Sequence, residues 1–343
     1  MEYTEVKKAH IVPRCYLKNF AVEDAVMLSV DSNPPIGPVS IDNAAIRRSF
    51  YRRFRPDGTP IYDVEWSLSE LEGAIAPLLP HVKEGWPLPC IEIKAALAEF
   101  FAFQFVRGPR WKKWREGLAR EAADDFRRNP EPVLHNGIWI PATQRQINET
   151  EDELLSETEW LTKMMLIANR FISAFGSMRW HLIEFEEPLL AISDHPVVAW
   201  PVDSPYRRPE PTPAGLGVLN FLEVRTPISP TLGLLMTWQE PPDCGHIVRG
   251  SEEIAANLNA FTIANADRQW MHRPGSPPPV ADGYLDPVSS ELINGYGAAE
   301  SKGSRVREQV AELLERKQGQ SIHEAVDENG RMHAEIVTPG QQP

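Results

Sequence analysis

LLAISDHPVVAW, residues 189–200, is an apolar run that carries Ser193, Asp194 and His195 at its centre. If the run is a strand, side chains alternate between faces, so Ser193 and His195 share one face and Asp194 points to the other. That alternation excludes a contiguous Ser-Asp-His triad, whose members must come together from separate parts of a fold. Two readings remain. Ser193 and Asp194 can bond to local backbone where the strand ends before Pro196, or Asp194 can offer a carboxylate to a pocket at the end of a core strand.

An aspartate alone is no site, so other polar groups set among apolar ones matter. AALAEFFAFQFVRGPRW (95–111) places Gln104 and Arg107 three residues apart on one helical stripe with Leu97 and Phe100. A buried guanidinium without a partner is very costly, so Arg107 requires a carboxylate or an anionic ligand. Glu72 falls on a stripe with Leu68, Ile75 and Leu79, and Glu65 lies seven residues earlier. Two carboxylates on one helical face can bind a cation or divide acid and base roles, although exposed helix glutamates are common. His10, Pro13, Tyr16, Leu17 and Phe20 recur at spacings of three and four, which by itself describes a helix packing its apolar side around an ordinary histidine.

RRSFYRRFR (47–55) and RGPRWKKWR (107–115) each hold five Lys or Arg and no acid, interleaved with aromatic residues. Cations for phosphates and rings for base stacking are the ingredients of a single-stranded nucleic-acid groove. A charge-protected edge strand and an amphipathic helix end produce the same letters, and acidic residues elsewhere in the chain can pair with them.

The elements that must position these groups follow from period and punctuation. Residues 1–62 mix short β-like runs with loops, broken by NPPIGP and RPDGTP. Residues 64–177 are helical in pattern: Ser67 and Glu70 have capping-box spacing, Pro80 stops the first helix, and Ile91–Val106 is strongly apolar. A charged helix runs to about Arg128, NPEPVLHNGIWIPATQ interrupts, and one more helix ends at Gly176. Beyond it MRWHLIEF, LLAISDHPVVAW and LNFLEVRTPISPTLGLLMTW are extended runs around a Pro-rich loop at 201–213, and a short helix near Glu252–Asp267 leads to RQWMHRP. A single α+β domain over 1–274 is expected, its helical middle packed on a mixed or antiparallel sheet from both ends of the chain. Residues 275–343 form a Pro-, Gly- and Ser-rich extension with one amphipathic helix at Val306–Leu314 and a disordered tail.

With 343 residues the chain can bury a substantial core, and its 42% hydrophobic and 24% charged content is ordinary for a soluble protein. No apolar run reaches membrane-spanning length, and MEYTEVKKAH has no apolar leader segment, which places the protein in the cytoplasm. The net charge of −13 argues against a generally sticky nucleic-acid binder. It is uneven, however: residues 1–130 hold 19 Lys and Arg against 18 Asp and Glu, the remainder 16 against 30. Cys15, Cys90 and Cys244 are scattered packing residues rather than a disulfide framework. His181, His195, Cys244 and His246 lack zinc-ligand spacing, no phosphate loop or dinucleotide glycine pattern is present, and no cofactor is named by the sequence.

The segment HIVPRCYLKNFA (10–21) resembles the opening His-x-x-Pro-x-x-Tyr-Leu-x-x-Phe signature of the family known as domain of unknown function 4238. The resemblance continues in order over about 270 residues. It takes in VMLSVD, Phe50-Tyr51, Glu72, Gln104 with Arg107, Trp180, the group Ser193, Asp194, Pro196 and Val197, and Ile228-Ser229-Pro230. Gly108 stands where many members have Thr. The family lends no activity, but the resemblance implies that His10, Glu72, Gln104, Arg107 and Asp194 belong to one set.

These residue types suit acid–base work on an anionic or polarised group. A Glu and Asp pair can instead hold Mg²⁺. The expectation is a hydrolase-like enzyme acting on a phosphate-containing substrate, with single-stranded nucleic acid one such partner. His10, Glu72 and Asp194 are its catalytic candidates, and Arg14, Tyr16, Gln104, Arg107, Arg52 and Arg53 its substrate-binding ones. The alternative is a non-enzymatic binding or regulatory protein in which the same residues form a structural network.

Overall fold

A computed structural model of the chain describes residues 8–30, 36–55, 57–83, 91–135, 138–201, 221–238, 247–282 and 287–288, with two strands at 321–326 and 332–337. The first part is a set of short strands, β1 (Lys8–His10), β2 (Ala25–Val30), β3 (Gly37–Ser40), β4 (Ile46–Arg48), β5 (Arg53–Phe54) and β6 (Pro60–Ile61), with the one-turn helix α1 (Arg14–Leu17) after β1. The helical middle holds α2 (Asp63–Ile75), α3 (Leu79–Lys83), α4 (Ile91–Val106), α5 (Pro109–Arg128), α6 (Gln144–Leu154) and α7 (Glu157–Ser177). A two-stranded ladder, β7 (Val133–His135) with β8 (Ile138–Ile140), sits between α5 and α6. Then come β9 (Arg179–Glu184), β10 (Ile192–Ser193), β11 (Val198–Pro201), β12 (Phe221–Ser229), β13 (Leu232–Thr237), β14 (Ile247–Arg249), α8 (Glu252–Ala264) and β15 (Gln269–His272). Two last strands, β16 (Ser321–Val326) and β17 (Met332–Val337), pair with each other.

The fold is α+β. Both ends of the chain build an antiparallel sheet in the order β10-β15-β2-β3. A second sheet, β11-β12-β13-β9-β14, comes from the carboxy-terminal half alone and is mixed, because β14 runs parallel to β9. Its two faces bury different helices. Trp180, Leu182, Leu234 and Met236 point to α4 and α7, while Ile183 and Leu235 point to α8. A bulge at Trp200/Pro201 puts Phe221 on the α4 side, where it stacks on Phe171 and meets Phe105 edge-on. The apolar-all-round sequence of α4 makes sense in that position: it is packed by α2 and α7 and by the sheet, and Leu97, Phe100, Phe101 and Val106 are buried.

Several boundaries differ from the sequence expectation for identifiable reasons. Helix α2 begins at Asp63, four residues before Ser67, so the Ser67–Glu70 pair lies inside the helix and caps nothing. Asp63 is held instead by the Arg53 guanidinium. The single helix expected before Gly176 is two: α6 opens on a true capping box, Thr143 with Gln146, and α7 continues through Gly176 to Ser177. The interruption at 129–144 contains the β7–β8 ladder, for which VLHNGIWI carries an Asn-Gly hairpin signal. Packing also continues past residue 274: the Asn259 amide donates to Pro279, Ala281 bonds to Ala256, and Val288 is buried with its N–H on Glu223. The expected disordered tail carries β16 and β17, whose alternating SIHEAV and MHAEIV have the strand period. The expected helix at 306–314, the Pro-rich stretch after Pro201, Cys90 and Cys244 lie outside the described residues. No helix among the described residues is long and apolar enough to cross a membrane.

Candidate functional site

The site forms where α2, the end of α4 and the amino-terminal strands meet. Pro13, as N-cap of α1, and the restriction it places on Val12 keep His10 off the helix that its spacing suggested; His10 ends β1, paired with Ile46. Ser49, in the left-handed region at φ 50°, turns the chain after β4 so that Phe50 and Tyr51 follow it inward. Tyr51 is buried.

Arg107, just past α4, is almost wholly buried and every arm of its guanidinium is used. Nη1 donates to Glu72 Oε1 at 2.8 Å, Nη2 to the His10 carbonyl at 2.5 Å, and Nε to the Tyr51 hydroxyl at 3.0 Å. That hydroxyl donates in turn to the Arg107 carbonyl at 3.2 Å, and the guanidinium lies 5.4 Å from the Tyr51 ring centroid. The buried cation is therefore satisfied by one carboxylate, one hydroxyl and one carbonyl from three separate elements.

Beside this network opens a cavity of about 380 Å³ lined by His10, Glu65, Trp66, Leu68, Ser69, Glu70, Glu72 and Arg107. Residues 65, 69 and 72 follow one face of α2 over two turns. Burial pushes Glu65 up to about 7, with Arg107 opposing and Glu72 reinforcing. Glu72 has the guanidinium beside it. The two carboxylates that the stripe placed on one face thus sit in one cavity in different electrostatic surroundings. Burial lowers the His10 imidazole, against a hydrogen bond with the Ile41 backbone and the pull of Glu72, so the ring is neutral at pH 7, and its buried Nε2 has no partner among the described residues. Cys15 lies in the field of Glu72 and is pushed up to about 11, mainly by burial, which makes it an inert thiol.

Asp194 does not join this set. Its carboxylate accepts the backbone N–H of Asp267 at 2.8 Å and of Arg268 at 3.0 Å, with Arg47 Nη2 at 3.7 Å. Burial raises it to about 6 in spite of these donors. Ser193 makes the local turn that its sequence context allowed, its hydroxyl donating to the His195 carbonyl and accepting from the His195 N–H. The expected convergence therefore holds for His10, Glu72 and Arg107, while Asp194 ties the end of β10 to the segment before β15. Only its backbone comes near, 3.8 Å from where a side chain at Gly108 would begin.

Of the expected binding residues, Tyr16 is fully buried and spends its hydroxyl on the Thr226 hydroxyl (2.7 Å) and the Pro227 carbonyl (2.6 Å). It is core, not binding surface. Arg14 pairs with Asp42 at the surface, and Arg53 with Asp63. The Arg52 guanidinium stacks on Phe54 at 4.9 Å. Gln104 is buried, and among the described residues neither end of its amide has a hydrogen-bond partner.

The two basic stretches do meet, but largely to satisfy one another and nearby acceptors. Lys112 lies 5.3 Å from the Phe50 ring centroid, Arg110 donates to Asn265, and Arg47 and Lys113 both reach Asp267. Tyr51 and Trp111, the rings that would stack on bases, are buried. The Asp194 carboxylate is engaged by the N–H groups of Asp267 and Arg268 and does not line the cavity of Glu72, and among the described residues no group of three or more His, Cys, Asp or Glu is placed to hold a metal ion.

The ordered motifs from β1 to β15 are matched as a whole by one family profile, Protein of unknown function (DUF4238), over residues 8–276. The chain belongs to the DUF4238 family. No curated protein and no solved structure matches the chain. In this DUF4238 member the motif residue Tyr51 joins the Arg107 network and Glu65, outside the motif residues, lines the same cavity as Glu72; the signal for Glu65 was its seven-residue spacing from Glu72. Sequence reasoning missed a second buried pair, Glu223 and Arg225 on β12, in which Arg225 also donates to Asn257 on α8 and lies 4.8 Å from the Trp200 ring centroid and 5.0 Å from that of Phe261. The signal was the one that drew attention to Asp194: charges inside an apolar strand, LNFLEVRTP.

Proposed function

We propose that the cavity beside α2 is the acid–base site of a hydrolase-like enzyme, in which Glu65 moves the proton and Glu72 is held in place by Arg107. The observation that carries this reading is the pair of carboxylates in one cavity, of which burial raises Glu65 while Glu72 bonds to the Arg107 guanidinium, since carboxyls in unlike environments can take different roles in one site. A carboxyl raised to about 7 is half protonated at neutral pH and can donate to a leaving group or accept from water. Seven residues of helix separate the two groups by roughly 10 Å along the axis, which leaves room for a substrate atom and a water between them. Arg107 clamps Glu72, and neutral His10 adds a polar wall.

A phosphate-containing substrate has less support than the acid–base reading itself. Three glutamates line the cavity, and the donors of Arg107 are already engaged, so a neutral or cationic polar substrate suits the local charge better. One observation favours the rival reading of a non-enzymatic structural network: the bonds from Arg107 tie together β1, α2 and the turn before β5 and are complete without a ligand.

The test is a panel of p-nitrophenyl esters, glycosides and phosphates, assayed with wild type, Glu65→Gln, Glu72→Gln and the remote Arg128→Gln. Turnover that falls by about 10²–10⁴ in the two glutamate variants and persists in Arg128→Gln supports the reading, since that is the usual worth of a general acid or base. Turnover insensitive to both substitutions, or none at all, decides for the structural network.

A further inference from the structure

Three features of the cavity beside α2 decide what it can hold. Its guanidinium offers nothing to an anion, because the three arms of Arg107 go to Glu72, the His10 carbonyl and the Tyr51 hydroxyl. Glu65 and Glu70 line the same space, and among the described residues neither has a cation within ion-pair distance. Burial, only partly opposed by Arg107, is what raises Glu65 to about 7. The third feature is Trp66, a large aromatic residue that is 45% exposed and belongs to the lining.

Trp66 and Glu70 stand one turn apart on α2, as do Glu65 and Ser69. Two adjacent rows of the helix thus bring a ring, two carboxylates and a hydroxyl to one concavity of about 380 Å³, the size of a small-molecule site. Carboxylates alone select no ligand, since water and solvated cations satisfy them. An aromatic face beside them selects an organic cation: the ring quadrupole attracts the positive charge, and the indole covers a hydrocarbon body that would otherwise stay in water.

We infer that this cavity takes a small primary ammonium compound with an apolar arm, its head between Glu65, Ser69 and Glu70 and its arm against Trp66. An ammonium group has three donors, which two carboxylates and one hydroxyl accept. The inference names the substrate class of the site proposed above and rests on the reading that this cavity is the functional one. Around Glu65 stand Glu70 and Glu72 on its own helix, His10 at the end of β1, Tyr51 after β4 and Arg107 past α4. Between pH 6 and 8 Glu65 passes from mostly protonated to mostly ionised, so cation binding should strengthen with pH across that interval.

Isothermal titration calorimetry of the full chain tests the inference, with benzylamine as the cation, benzyl alcohol as its neutral counterpart and benzoate as the anion. Benzylamine, protonated throughout, is expected to bind at pH 8 with a dissociation constant below about 1 mM, and roughly tenfold more weakly at pH 6. Glu65→Gln should weaken binding at pH 8 roughly tenfold and remove most of the pH dependence. Trp66→Leu, at a half-exposed position with little risk to folding, should weaken it roughly threefold or more, and the remote Arg128→Gln should leave it unchanged. Circular dichroism confirms the fold of each variant. Absence of benzylamine heat up to about 10 mM overturns the inference. So does binding of benzyl alcohol or benzoate as tight as that of benzylamine, or an affinity indifferent to both Glu65→Gln and Trp66→Leu in folded variants. Benzylamine binding without turnover in the ester, glycoside and phosphate panel upholds the ligand class and removes the acid–base role, whereas glutamate-dependent turnover without benzylamine binding overturns the ligand class alone.

Discussion

Glu65→Gln should make the protein more stable, and only above the acidic range. The carboxyl is held at about 7 in the folded chain against an ordinary 4.5, mainly because burial disfavours its charged form. A folded-state value raised above the unfolded one gives a contribution that is complete below about 4.5 and is lost as pH rises through about 7. At about 1.4 kcal/mol per pH unit the whole interval is worth about 3 kcal/mol, and solvent entering through the open cavity mouth reduces that to roughly 1–2 kcal/mol. The amide never ionises, so the variant avoids this loss. Urea denaturation of both proteins at pH 4.5, 6, 7 and 8 should give superimposed midpoints at the lowest pH and a growing advantage for Glu65→Gln at pH 8. Parallel curves across the range, or a variant less stable at pH 8, would show that Glu65 is solvated in the folded chain and would remove the basis for its acid–base role.

Other perturbations test the neighbouring structure. Tyr51→Phe keeps the ring over Arg107 but takes away the hydroxyl that satisfies its Nε and its carbonyl, and should cost about 2–3 kcal/mol in urea denaturation; a loss below about 0.5 kcal/mol would mean that the network relaxes freely. Gly250→Ala would set a methyl 2.3 Å from the Phe185 ring and 2.8 Å from Ile183, so a drop of about 1–3 kcal/mol is expected, and an unchanged midpoint would contradict that packing. In fluorescence anisotropy with short single-stranded RNA, any binding should be weak and vanish by about 0.15 M salt, because the rings of Tyr51 and Trp111 are buried; tight, salt-resistant binding would refute this.

Local patterns in the chain were enough to determine its class and the company of its buried cation. Helical period marked α4, with Gln104 and Arg107 on its apolar stripe, and an unpaired guanidinium there is so costly that a carboxylate or an anionic ligand had to meet it; the same periodicity put Glu65 and Glu72 on one face of α2. Strand alternation alone excluded a Ser193-Asp194-His195 triad. Which carboxylate met Arg107 was decided only in three dimensions, because the choice depends on which elements pack: Glu72 on α2 reaches it, whereas Asp194 is spent on the N–H groups of Asp267 and Arg268, more than seventy residues away in sequence. Tyr16 and Arg53 have the composition of binding residues, but long-range packing gave the Tyr16 hydroxyl to β12, and a short-range turn gave Arg53 to Asp63. Residue types and spacing set what each side chain can do; burial and partners, which tertiary structure alone assigns, set which of those things it does.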